Sequence, residues 1–107
     1  MNNHTTYEFS QSIHGVQVKP VNENGDVVAI RYNGPLTSTE AKEIFLHYSF
    51  GKPDNWSKAV DLNLNKTDHG WEASLPMDKN KQLNFCFKDS SNNWDNNNGV
   101  NWTYRIS

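Results

Sequence analysis

The stretch Glu43–Phe50, EIFLHYSF, limits the folds open to this chain. Ile44, Leu46, Tyr48 and Phe50 fall on one side of an extended strand, and Phe45, His47 and Ser49 fall on the other. The same period of two recurs in short runs. Val16–Val18 and Val27–Tyr32 precede it, and Ala59–Leu64, Trp71–Leu75, Leu83–Phe87 and Trp102–Ile106 follow. Turn formers separate the runs: Asn22–Asp26, with Gly25 suited to positive φ, then Asn33-Gly34-Pro35, Gly51–Asn55, Lys66–Gly70 and the Asn-rich run Ser90–Asn101. Thr37-x-x-Glu40 is a capping signature, but the segment it opens is long enough only for a single helical turn. About seven short strands and no convincing helix predict an all-β chain, an antiparallel β-sandwich that is immunoglobulin-like in size.

A chain of 107 residues is one domain with a modest core. Hydrophobic residues make up only 35%, but aromatics reach 12% and each buries a large area, which suits a thin, aromatic-filled sandwich. Met1–Gln11 is polar and unpatterned, with only Tyr7 and Phe9 alternating, so residues 1–15 are expected to be a flexible tail or edge segment and residues 16–107 the folded module. A net charge of −2 and a pI near 6.0 argue against nucleic acid or an anionic membrane as partner. No apolar run has the length of a membrane span, and MNNHTTYEFS lacks the regions of a signal peptide. The compartment stays open, extracellular if the chain is part of a secreted protein. The single Cys86 rules out an internal disulfide. A monomer is expected.

The four tryptophans separate by context. Trp71 and Trp102 stand in phase with apolar neighbours two residues away and are assigned to the core. Trp56 and Trp94 are flanked by Asp54, Asn55 and Ser57, and by Asn93, Asp95 and Asn96, so they are candidates for exposed platforms. An indole offers a flat apolar face, and each Asn amide offers two donors and an acceptor. A loop such as SSNNWDNNNGVNW, Ser90–Trp102, suits a ligand with one apolar face and hydroxyls around its edge, as a sugar ring has. The competing reading turns Trp94 inward and leaves the Asn residues as turn formers. His47, on the outer face of the strongest strand, gains a role only if the two Trp-bearing loops arch over that strand.

The order LHYSFG (Leu46–Gly51), Trp56, Gly70-Trp71, LNFCFKD (Leu83–Asp89) and NWDNNNG (Asn93–Gly99) resembles the family 25 carbohydrate-binding modules, from Val16 to the C-terminus. Those are starch-binding β-sandwiches appended to bacterial amylases. The resemblance implies an α-glucan site made of a strand histidine and two loop tryptophans, which here match His47, Trp56 and Trp94. It also puts amide donors after the last Trp, making Asn96, Asn97 and Asn98 candidate partners of sugar hydroxyls. Ser49 stands where the family often has Gly. The implied partner is starch or a malto-oligosaccharide, with attachment to an amylolytic enzyme.

Three other functions compete. Glycoside hydrolysis needs paired carboxylates, and Asp54, Asp61, Asp89 and Asp95 lie in turns or on polar strand faces, with Asp89 and Asp95 read as turn-makers. No catalysis is expected. Asn93, Asp95 and Asn97 alternate like the start of an EF-hand, but Asn98 and Tyr104 stand where Gly and Glu are required. His4, His14, His47 and His69 lack zinc-ligand spacing. No cofactor is expected, and a structural calcium elsewhere stays open. The third alternative is an immunoglobulin-like protein-interaction domain using the same exposed aromatics. Of four N-glycosylation acceptor patterns, the one at Asn55 is expected to be unused, since a glycan there would crowd Trp56.

Overall fold

The computed structural model describes residues 8–38, 42–52, 54, 56–78 and 80–105. Among them run nine strands: β1 Val16–Pro20, β2 Val27–Tyr32, β3 Ile44–Phe50, β4 Val60–Asn63, β5 Asn65–Thr67, β6 Gly70–Pro76, β7 Leu83–Asp89, β8 Trp94–Asp95 and β9 Trp102–Tyr104. They form two sheets. One has the order β1-β2-β6-β5; the other runs β4-β3-β7, with both β8 and β9 on the far side of β7. Every pairing is antiparallel. This is the immunoglobulin-like arrangement, in which the first, second, fifth and sixth strands face the others.

The period-two pattern explains the core. Val28, Ile30, Tyr32 and Leu75 from one sheet meet Ile44, Leu46, Leu83, Phe85, Phe87 and Trp102 from the other. Aromatic rings fill the middle, with Tyr32 stacked on Phe87 at 4.1 Å between centroids and Trp102 edge-on to Phe87 at 5.4 Å. Trp102 is buried as its phase predicts, and Trp71 packs partly buried against the same cluster. Gly25 takes φ 69° in the β1–β2 turn, where its N–H donates to the Asn22 carbonyl. Residues 8–15 run along β1: Ser10 N–H donates to Val18 O, and the Phe9 ring lies 3.9 Å from the Arg31 guanidinium.

Several local expectations change. Ala59–Leu64 reads as one strand, but the chain leaves the second sheet after Asn63, buries Leu64 and enters the first sheet as β5. Lys66 and Thr67, read as the start of a turn, are therefore strand. Val60 is in phase with the core yet 48% exposed, because it sits at the open end of edge strand β4. Trp94 and Asp95, read as loop, pair with Lys88 and Phe87. The helical turn is a 3-10 turn at Pro35–Ser38, before the segment that Thr37 was expected to cap. Tyr7, Glu40 of the capping pair, Asn55 of the acceptor pattern expected to be unused, and Ile106 lie outside the described residues.

Candidate functional site

The outer face of the second sheet carries the candidate site, built by cross-strand register. Asp61 on β4, His47 on β3 and Cys86 on β7 form one row. Asn63, Phe45, Lys88 and Trp94 form the next, across β4, β3, β7 and β8. Side chains in adjacent rows point the same way and lie within reach of one another.

Two loops bring the indoles to this face. Trp56 belongs to the β3–β4 connection and lies flat against His47, with centroids 5.3 Å apart and planes at 12°. Trp94 follows the tight β7–β8 turn and meets His47 edge-on, at 5.2 Å and 89°. The two indole planes are thus close to perpendicular, with the imidazole between them. Trp94 is 51% exposed, whereas Trp56 is half-buried with one face covered by His47. The structure thus brings His47, Trp56 and Trp94 together on one face.

The turn that aims Trp94 is closed by Asp89, which is 2% exposed. Its Oδ1 accepts from the N–H groups of Ser91 and Asn93, and its Oδ2 accepts from the Asn93 side chain, all at 2.9 Å. Asp95 ties the next residue inward. Its Oδ2 accepts from the hydroxyl of fully buried Tyr32 at 2.7 Å, and its Oδ1 from Asn97 N–H at 3.2 Å. Both aspartates are committed to holding the loop. Burial, reinforced by the Asp95 carboxylate, pushes the Tyr32 hydroxyl far above its ordinary range.

The three loop amides are placed differently. Asn97 donates from Nδ2 to Asn101 O at 3.1 Å, and its Oδ1 accepts from His14 Nδ1. Asn96 Oδ1 accepts from Gly99 N–H at 2.9 Å, while the residue is exposed. Asn98 is exposed and lines a separate cleft of about 560 Å³ with His14, Asn33, Thr37, Asp95 and Asn97. The polar side chains of that cleft are largely bonded to the fold. Asn33 donates to His69 O, Thr37 to Gly34 O, and His14 to Asn97. The aromatic face, with Trp94 exposed, has the chemistry for an apolar-faced ligand.

Asp61, Lys88 and Phe45 complete the face and are not among the binding residues expected from sequence, where Asp61 is weighed only as a catalytic carboxylate. Asp61 Oδ1 lies 2.6 Å from His47 Nδ1, and its Oδ2 lies 2.6 Å from Lys88 Nζ. Burial by itself would raise the Asp61 carboxyl, but the hydrogen bonds from Lys88 and His47 outweigh it and hold the group below the usual carboxylate range. Lys88 Nζ also stands 5.4 Å from the Trp94 ring and 5.9 Å from that of Phe45. The alternation puts Phe45, Asp61 and Lys88 outward, but which outward residues are neighbours depends on strand register. Among the described residues no group of three or more His, Cys, Asp or Glu could hold a metal ion.

A family model for starch/carbohydrate-binding modules (family 53) matches residues 28–85. An α-amylase of Clostridium acetobutylicum is 33% identical over 105 residues, covering 96% of this chain. The chain spans only 13% of that relative's length. No solved structure matches significantly. The matched family is numbered 53, where the motif order resembles family 25, and the broader class of starch-binding module is common to both readings.

Proposed function

This chain belongs to starch/carbohydrate-binding module family 53, a non-catalytic class, and from that premise we propose that it binds α-1,4-glucans on the aromatic face of its second sheet. The observation that carries the proposal is the meeting of His47, Trp56 and Trp94, with the two rings set at 12° and 89° to the imidazole. Successive glucose rings of a curved chain stack on Trp56 and on Trp94. The sugar C–H groups meet the electron-rich ring faces, and stacking removes apolar area from water. His47 bonds hydroxyls between the two platforms. Exposed Asn96 and Asn98 serve hydroxyls at the ligand edge, and Asn97 maintains the loop.

Base stacking on aromatics sets the scale, on the order of 1–3 kcal/mol per platform. Two platforms and a few hydrogen bonds then give a dissociation constant of roughly micromolar to millimolar size. The α-amylase relative supports the further proposal that this module accompanies an amylolytic enzyme and delivers it to starch as a monomeric unit.

Affinity electrophoresis in gels containing soluble starch tests the site. The wild type is retarded, and Trp56→Ala and Trp94→Ala each lose most of the retardation while circular dichroism shows an intact fold. Wild-type mobility unaffected by starch would refute the glucan reading.

A further inference from the structure

We propose that Asp61 is the positioning residue of the aromatic face, fixing the tautomer and the orientation of His47, with Lys88 locking the carboxylate from its other side. This rests on the glucan-binding reading for its functional consequence, but its geometry stands alone. His47 and Asp61 are directly opposed in the β3–β4 register, so the contact is built into the sheet. The two carboxylate oxygens divide their work: Oδ1 faces His47 Nδ1 and Oδ2 faces Lys88 Nζ, each at 2.6 Å. Lys88 is on β7, on the opposite side of β3 from Asp61, so the carboxylate is held from two strands.

An ionised carboxylate only accepts hydrogen bonds, so His47 Nδ1 carries the proton in this contact. In the neutral imidazole, Nε2 is then the acceptor. A sugar hydroxyl therefore donates to His47 rather than accepting from it. The same contact fixes ring rotation, and with it the stack on Trp56. Without Asp61 the imidazole could take either tautomer and turn about its χ angles, and the site would lose part of its preorganisation.

Nitrogen-15 NMR of the intact chain, combined with maltotriose titrations, tests this. The wild type is expected to show His47 as the Nδ1–H tautomer. Asp61→Ala should lose that preference and weaken maltotriose binding by about five- to tenfold, the scale of one lost hydrogen bond. In a His47→Ala background the Asp61→Ala change should have no further effect, because Asp61 acts through the ring. Asp61→Val, which likewise offers no acceptor to Nδ1–H, serves if the alanine variant does not fold. A binding loss that persists without His47 would mean that Asp61 touches the sugar itself, overturning the inference. Unchanged affinity in Asp61→Ala, with the wild type binding, would also overturn it and leave the glucan reading standing. If the wild type bound no maltotriose, the glucan reading would fall, and retention of the tautomer in Asp61→Ala would sink the positioning role as well.

Discussion

Single side chains here do two kinds of work, and titration separates them. The Asp61 carboxyl is held below its ordinary value of 3.8 by Lys88 and His47. A depressed carboxylate contributes stability above its unfolded pKa and loses it as pH falls through the folded value. Urea denaturation of wild type and Asp61→Asn should thus differ at neutral pH and converge below about pH 4. A gap that stays constant down to strong acid would contradict the ion-pair account. Tyr32 responds to pH in the opposite direction. Its hydroxyl is buried, donates to Asp95 and accepts from Leu36 N–H at 3.1 Å. Its folded pKa is raised, so stability is retained below the unfolded value near 10 and lost as pH climbs above it. Tyr32→Phe removes both hydrogen bonds of this hydroxyl and should cost about 1–3 kcal/mol in chemical denaturation. A cost near zero would show that water replaces the hydroxyl.

At the scale of elements, the binding loops are only as precise as the turns beneath them. Asp89 closes the β7–β8 turn with three hydrogen bonds, and Asn92 within it takes φ 65°. Asn tolerates the left-handed region better than most residues, which suits it to this turn. Asp89→Ala should lower stability by about 1–3 kcal/mol and weaken starch retention although no sugar contact is removed. Thermal unfolding and gel mobility together check it; lost stability with full retention would uncouple turn from site. The β2 exit is similarly tight. A Cβ on Gly34 would stand 2.6 Å from the Tyr32 ring. Gly34→Ala is expected to destabilise by about 1–3 kcal/mol through overpacking, read from the denaturation midpoint.

For the molecule as a whole, a weak single site makes copy number decisive. Two modules joined by a flexible linker should bind granular starch about 10²-fold or more tightly than one, provided both reach the granule. Depletion assays compare the two, and equal affinity would imply that the sites cannot engage together. Much of the fold was legible from the residues: the period of two around Leu46 and Phe85, the breaks at Gly25 and Gly34-Pro35, and the contrast between Trp102 and Trp94 each follow from local chemistry. Local pattern could not reveal the crossing at Leu64, because the alternation continues unbroken while the chain changes partners. Nor could it separate Asn97, bonded to His14 across 83 residues, from its neighbours in the same run. The sequence alone determined which side chains face outward, since alternation is a property of the extended backbone. Only the tertiary structure decided that Asp61, His47, Lys88 and Trp94 are neighbours and that the indoles stand at a wide angle, because register and loop closure arise from the packing of distant segments.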